Sequence, residues 1–308
     1  MSTAPSPSAR WAGRAALAAG GLLCAAWVTG AVVSDRWLWT QWAAWIPAVL
    51  LLPGGLLLWL GWRLLRRRVR WLGIVIAAAG PVIYVSALWK PAGGPPPSGT
   101  SVLHWTAGPI RGTPEPYAAF IMSQDADVAI VEGARRAGTD PMFRTWSADH
   151  HVAVRGPFLI ASRLPIRTLR TIAWAEDILL FLLVVERPDG SPLRMLVVDL
   201  PSDPGRSRRG VIDTAHELLG QLDEPVDLII GDFNLTRCSS QLRRFKPGFA
   251  PMWGAHGSGW GGTYPRAFPV TRLDHVLAAD PTLIESISTS TPPVGRHRAQ
   301  RITVSGCP

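Results

Sequence analysis

Apolar positions follow two different rules along this chain. Up to residue 89 they come in long blocks, and Ala15–Val33, Trp37–Trp62 and Trp71–Trp89 contain no charged residue. At about 1.5 Å of rise per helical residue, a block of about 19 residues reaches roughly 28 Å, close to the hydrocarbon thickness of a bilayer. Three such blocks in succession predict three transmembrane helices in a membrane domain of residues 1–89. Trp11, Trp37, Trp39, Trp62, Trp71 and Trp89 stand near block ends, where amphipathic rings anchor at an interface. Pro47, Pro53 and Pro81 are tolerated inside membrane helices when neighbouring groups satisfy the freed backbone.

After a Pro/Gly-rich linker, residues 90–100 ("KPAGGPPPSGT"), the blocks shorten to strand length. "SVLHW" (101–105), "DVAIV" (127–131), "FLIAS" (158–162), "ILLFLLVVE" (178–186), "RMLVVDL" (194–200) and "DLIIG" (227–231) read as strands rich in β-branched residues. "RLDHVLA" (272–278), "LIESIST" (283–289) and "RITVS" (301–305) are later candidates. Helical periodicity is confined to residues 115–123, 208–222 and, more weakly, 239–245. Many strands with few helices predict a layered α/β sandwich over residues 101–308 rather than a regular alternation of strand and helix.

The net charge of +9 becomes informative only once it is located. Residues 1–97 hold nine Lys/Arg and the single acid Asp35, which leaves 22 of the 31 basic and 21 of the 22 acidic residues for 98–308. The second part is nearly neutral, so charge gives no argument for nucleic-acid binding there. Five of the nine basic residues lie in Arg63–Arg70, "RLLRRRVR", which predicts a cytoplasmic loop, as does the start of the chain with Arg10 and Arg14. Three crossings from that side make a multi-pass cell-membrane protein with its N-terminus in the cytoplasm and its C-terminal domain extracytoplasmic. A cleaved signal peptide over residues 1–30 is a competing reading that leaves two later helices and the same final location. Cys24 falls in the first helix, and Cys238 and Cys307 are candidates for a disulfide in an oxidising compartment.

Polar residues collect at the ends of the predicted strands. Glu132 follows "DVAIV", Asp199 ends "RMLVVDL", Asp232 and Asn234 follow "DLII", Asp274 lies inside "RLDHVL", and His297 follows a Pro-rich loop. Carboxylates hold a hard divalent cation, an amide donates to a phosphate oxygen, and an imidazole stabilises charge or moves a proton. Each has a plainer reading: Gly231-Asp232-Phe233-Asn234 as an ordinary turn, Glu132 as the start of a surface helix, His297 as a surface histidine. Asp274 among apolar neighbours is harder to dismiss, because a buried carboxylate needs a partner. His104, His150, His151, His216, His256 and His275 show no metal-ligand spacing. No P-loop, nucleophile elbow or paired CxxC occurs.

In order along the chain, "VLHWT", "ADVAIVEGA", "FLIASRLPI", "LIIGDFNLT", "TYPRAFPVTRLDHVLA" and "GRHRAQRITV" resemble the motifs of the endonuclease/exonuclease/phosphatase family of DNase I-like, metal-dependent phosphoesterases. The resemblance covers residues 101–305, and it extends to a bacterial subset with an N-terminal membrane portion. It implies a four-layered α/β sandwich preceded here by three transmembrane helices, with Mg²⁺ or Mn²⁺ as cofactor. Glu132 would be a metal ligand, Asp232 would orient or deprotonate the attacking water, and Asn234 would hold a phosphate oxygen. Asp274 would pair with His297, whose imidazolium faces the phosphoryl group.

Three family positions differ: an expected Asn is Thr106, an expected His is Asp199, and an expected Asp is Arg296. In a rewired enzyme, Asp199 returns a carboxylate to the metal while Arg296 and Thr106 contact the substrate phosphate. In a degenerate domain, Asp199 and Arg296 pair with each other, and the protein is a membrane-tethered binding module for a phosphorylated ligand. The hydrolase is the expectation carried forward. Its partners would be the lipid bilayer and a phosphoester (a phospholipid, a phosphorylated glycan or nucleic acid), with no obligate protein partner. Trp253 and Trp260 stand in a Gly-rich stretch as either ligand-facing or core-covering rings.

Overall fold

The structure is a computed structural model of the 308-residue chain, and it describes residues 6–92, 98–220 and 222–306. The chain divides into two units, Met1–Leu88 with Cys238–Ser240, and Trp89–Arg237 with Gln241–Pro308.

The first unit contains four α-helices: α1 (Pro7–Val32), α2 (Leu38–Ala44), α3 (Leu51–Leu64) and α4 (Arg70–Leu88). Ser6 caps α1 by accepting a hydrogen bond from the Ala9 amide, and Pro7 fills a first-turn position whose N–H would lack a partner. α1 and α4 are long and apolar enough to cross a membrane. The middle block is a bent pair: α2 and the helical stretch 48–64 meet at 77°. Pro47 lies at the break with an extended backbone and no N–H to continue a helix. Two of the three expected spans are therefore continuous helices, and the third is this bent pair.

Glycines set the packing of the unit. A Cβ on Gly20 would lie 2.6 Å from the Gly54 carbonyl oxygen, and one on Gly55 would lie 2.5 Å from the Gly73 carbonyl oxygen. α1, α3 and α4 thus approach backbone to backbone, the arrangement that small residues permit between helices in lipid. Large apolar side chains point outward instead, among them Trp11, Leu22, Val75 and Val82. In water such a surface would be an aggregation hazard.

The second unit holds two sheets. Its strands are β1 (Trp89–Lys90), β2 (Thr100–Thr106), β3 (Val128–Glu132), β4 (His151–Arg155), β5 (Phe158–Ser162), β6 (Ile166–Ala175), β7 (Ile178–Glu186), β8 (Pro192–Asp199), β9 (Leu228–Asp232), β10 (Ala250–Pro251), β11 (Gly257–Trp260), β12 (Asp274–Ala278), β13 (Ile284–Ser290) and β14 (Ala299–Val304). One sheet runs β1-β11-β13-β14-β2-β3-β5-β4, the other β10-β12-β9-β8-β7-β6. The helices are α5 (Glu115–Gln124), α6 (Pro141–Trp146), α7 (Arg208–Leu219) and α8 (Trp253–His256).

Burial on both faces explains why the strands read as continuous apolar runs. Val102, Ile130, Phe158, Phe181, Val197, Ile230 and Val276 meet between the sheets. The alternate residues Leu103, Trp105 and Val131 pack outward on Tyr117, Phe120 and Phe143 of α5 and α6. On the other sheet, Leu196, Val198 and Ile229 face Val211, Ile212 and Ala215 of α7. Helix, sheet, sheet and helix form the four layers of the expected sandwich.

The sequence pattern missed β4, a five-residue strand with no buried residue, and β6, whose largely unburied residues are interleaved with Arg and Thr. The weak helix at 239–245 is a short 3₁₀ turn, Leu242–Arg244. The linker expected at 90–100 is ordered at both edges: Lys90 pairs with Gly259, and Thr100 opens β2. Cys238 is an exposed thiol, and its expected pairing with Cys307 lies outside the described residues. Trp253 covers the core, and the Trp260 ring donates to the Pro269 carbonyl at 3.1 Å.

Candidate active site

Two parallel strand pairs, one in each sheet, end in polar residues at the same rim. Thr106 of β2 is in register with Glu132 of β3, and Asp199 of β8 with Asp232 of β9. Antiparallel β12 begins at Asp274, opposite Asp232. His297 lies two residues before β14, which runs antiparallel to β2 and so begins at that rim. The topology therefore gathers Thr106, Glu132, Asp199, Asp232, Asp274 and His297 from distant points in the chain.

Gly231 is required by closeness, since a Cβ there would lie 1.8 Å from the Val198 carbonyl oxygen of β8. After Asp232 the chain turns. The Asn234 amide N–H donates to Asp232 Oδ1 at 2.9 Å, and Asn234 takes a left-handed conformation at φ 49°. Asn234 Nδ2 donates to the Leu200 carbonyl at 2.8 Å, which orients its amide. "GDFN" is thus both a strand end and a turn.

Asp274 and His297 form a buried pair. His297 Nδ1 lies 2.7 Å from Asp274 Oδ2, and the Thr106 hydroxyl donates to Asp274 Oδ1 at 2.6 Å. His297 Nε2 then faces Asp232 Oδ2 at 3.9 Å. The loop bearing His297 is fixed from below: Trp105 Nε1 donates to its carbonyl at 3.2 Å, and Gly295 at φ 90° clears the Trp105 ring, which a Cβ would approach to 2.8 Å. The hydroxyl of Thr106, expected at the substrate phosphate, donates to Asp274 here.

Charge follows this geometry. Burial disfavours the His297 cation, but the charge and hydrogen bond of Asp274 outweigh it and raise its pKa to about 9. Burial likewise opposes ionisation of Asp274, yet His297 pulls its carboxyl below the usual range. Three other acids go the opposite way. Burial, then repulsion from Asp274, pushes Asp232 up to about 7. Burial, then the Asp232 charge, pushes Asp199 up to about 8. Glu132 is raised well above its ordinary value by burial and by Asp199.

An oxygen-rich set of this kind fits a hard divalent cation. Glu132 Oε2 is buried without a hydrogen-bond partner, and three like charges share the pocket around it. The Asp232, Asp274 and His297 ligand atoms lie within 4.8 Å of one another, close enough to hold an ion. Asp274 and His297 are already bonded to each other, so the least compensated carboxylates are Glu132 and Asp199, while Asp232 faces a His297 charge that Asp274 already shares. Arg296 is exposed and makes no ion pair among the described residues. The Asp199–Arg296 pairing of a degenerate site is not formed.

Several contributors carried no signal in the sequence. Arg208 is fully buried, donates to the Pro201 and Asp203 carbonyls, and lowers the Asp232 pKa by its charge. Arg272, also buried, donates to Gln300, whose amide meets His104 Nδ1 at 3.3 Å behind Asp274. The half-exposed Tyr264 ring packs 5.0 Å from the His297 imidazole. Nothing local distinguishes these residues from surface arginines or loop aromatics.

A profile of the endonuclease/exonuclease/phosphatase family matches residues 97–305. No match was found among curated proteins. Among solved structures, the chain is similar to an endonuclease/exonuclease/phosphatase family protein from Bacteroides thetaiotaomicron, with a TM-score of 0.53 and 11% identity, covering 68% of this chain and 98% of that one. It is also similar to the 3′ phosphatase NExo from Neisseria bound to a product DNA hairpin (TM-score 0.51, 10% identity, 67% and 100% covered). An AP endonuclease from Archaeoglobus fulgidus gives a TM-score of 0.50 at 14% identity, with 67% and 100% covered. At these identities the structures speak for the fold alone.

Proposed function

The chain belongs to the endonuclease/exonuclease/phosphatase family, and from that premise we propose that it is a membrane-tethered, metal-dependent phosphoester hydrolase acting outside the cytoplasm. The observation that carries the reading is the pairing of opposites at the rim: a buried acid, Asp232, lies 3.9 Å from a histidine that Asp274 keeps cationic.

Glu132 and Asp199 are the residues that would hold the cation. A bound Mg²⁺ or Mn²⁺ supplies positive charge at the phosphoryl oxygens. Asp232 orients a water and takes its proton, a role for which burial and the Asp274 charge raise its proton affinity above that of an ordinary carboxylate. The water oxygen bonds to phosphorus as the bond to the leaving alcohol breaks. His297 presents Nε2–H to the charge that develops on the phosphoryl group, and the Asn234 amide holds a phosphate oxygen.

Two apolar helices of spanning length and the glycine-packed, outwardly apolar character of the first unit support a membrane tether. α4 follows the arginine-rich stretch 63–70, so the positive-inside rule sends its far end, and residues 89–308 with it, out of the cytoplasm. That argument holds whether or not the bent pair spans. The substrate class on that side is a phospholipid, a phosphorylated glycan or nucleic acid, and the near-neutral charge of residues 98–308 weighs mildly against the last.

The test is turnover of an aryl phosphodiester, plasmid DNA and phospholipid vesicles by the full chain in detergent micelles, with Mg²⁺, Mn²⁺ or EDTA, beside Asp232→Ala. Metal-dependent turnover lost in the variant is expected. A folded protein no more active than its variant on all three would refute the reading.

A further inference from the structure

Arg296 is placed with unusual care for an exposed arginine. Its amide donates to the Ala107 carbonyl at 3.0 Å, and its own carbonyl accepts from the Arg266 amide at 2.8 Å, so its backbone is pinned on both sides. Its side chain runs across Gly108: a Cβ there would come within 2.8 Å of Arg296 Cδ and 3.2 Å of Nε. Gly108 touches Gly133 in turn, where a Cβ would meet the Gly108 carbonyl carbon at 2.4 Å. The loops that follow Thr106 and Glu132 are therefore in backbone contact, and the Arg296 side chain lies on top of them.

The arginine stands next to the acid cluster without joining it. It forms no ion pair with Glu132, Asp199, Asp232 or Asp274, although its charge reaches His297 and opposes that residue's protonation. The same two loops carry Arg111, Arg135 and Arg136, all exposed and none in an ion pair among the described residues. Arg163, Arg167 and Arg170 of the same unit, by contrast, each hold an acidic partner. The other side of the site is acidic. The turn between β6 and β7 carries Glu176 and Asp177, Asp177 adds to the repulsion on Asp199, and Arg206 is held by both turn residues.

We propose that Arg296, with Arg135 and Arg136, forms a second anion subsite over the Gly108–Gly133 contact, for a further phosphate group borne by the same substrate. Guanidinium suits this role because its planar fork matches phosphate oxygens and it stays charged at any working pH. The inference rests on the hydrolase reading and narrows it: the scissile phosphate sits at the acid cluster, the second phosphate lies toward β2 and β3, and the side toward β7 and β8 receives an uncharged or cationic group.

The test is calorimetric titration of the full chain, in detergent micelles with saturating Mg²⁺, by orthophosphate and by pyrophosphate. Pyrophosphate is expected to bind about tenfold or more tightly than orthophosphate, the gain of roughly one charge-assisted contact. Arg296→Gln and the double variant Arg135→Gln/Arg136→Gln bring that ratio toward unity. Arg243→Gln, an exposed arginine on the turn Leu242–Arg244, leaves it in place. A ratio near unity in the unmodified protein, or one that neither site variant moves, overturns the subsite and leaves the hydrolase reading standing. Failure of both anions to bind removes the first phosphate position and the subsite with it.

Discussion

Asp232 and Asp274 face each other in adjacent strands, are buried alike, and titrate in opposite directions. The region around Asp274 is complete as folded: one oxygen accepts from Thr106, the other from His297, and the histidine's charge compensates the carboxylate. Across the rim, Asp232, Asp199 and Glu132 repel one another, and Glu132 Oε2 has no partner. The same side chain in the same degree of burial is thus a fixed charge in one place and a proton holder in the other. Burial sets the cost of a charge, and only the neighbouring charges decide whether it is met. One region is finished by folding, and the other keeps a repulsion that a bound cation would relieve.

The largest effect should come from breaking each region at its centre. Asp232→Ala is expected to lower kcat by about 10³-fold or more, the scale of losing a positioned base, and a loss under tenfold would put the base elsewhere. Asp274→Asn should act through His297, moving the alkaline limb of the pH–rate profile down from about 9 toward an ordinary histidine value near 6.5. An unmoved limb would mean that the pair does not set the histidine's charge.

Stability against pH sharpens the contrast next. His297, Asp199 and Asp232 all have folded pKa values raised above their unfolded ones, so each retains a proton that the unfolded chain releases. Their stabilising contribution is complete below the unfolded pKa and is lost as pH rises through the folded one. From pH 6.5 to about 7 all three act in the same direction, Asp199 and His297 continue to about 8, and His297 alone to about 9. The metal-free protein should therefore melt at progressively lower temperature across that window, and Mg²⁺ should flatten the fall. A melting temperature that climbs with pH in EDTA would contradict the assigned shifts.

Asp199→Asn removes one repelling carboxylate. It should raise the melting temperature of the metal-free protein at pH 8 while weakening metal binding by about tenfold, the scale typical of losing one supporting group at a metal site. If metal affinity did not change, Asp199 would be no ligand. The smallest effect belongs to Thr106: Thr106→Val should cost only a few-fold in kcat, with Thr106→Ser close to the parent, because Asp274 keeps His297. A large rise in KM for the phosphoester in Thr106→Val would support the expected contact of Thr106 with the substrate phosphate.

Much of this was legible from residue order. The apolar runs at 127–131, 194–200 and 227–231 became β3, β8 and β9, and the polar residues at their ends met as the motifs implied. β4 and β6 were not legible, because β4 is short with no buried residue, and the arginines and threonines of β6 blur its alternation. Nor was the bend in the second apolar block, since an apolar run containing Pro47 reads the same whether straight or folded back. The bond from Thr106 to Asp274 was not legible either, because sequence position says where a residue stands and not which atom its hydroxyl meets.

The sequence by itself determined the division into an apolar helical part and a strand-rich part, the location of the excess charge, and the identity of the polar residues at strand ends. These are matters of composition and short-range period, readable within a few residues. Only the tertiary structure decided that Asp274 also takes Thr106 as a partner, that Arg296 lies outside the acid cluster across Gly108, and that Arg208 and Arg272 are buried. Hydrogen bonding and pKa depend on distances of a few ångströms between residues far apart in the chain, 168 positions for Thr106 and Asp274, and register and burial fix those distances.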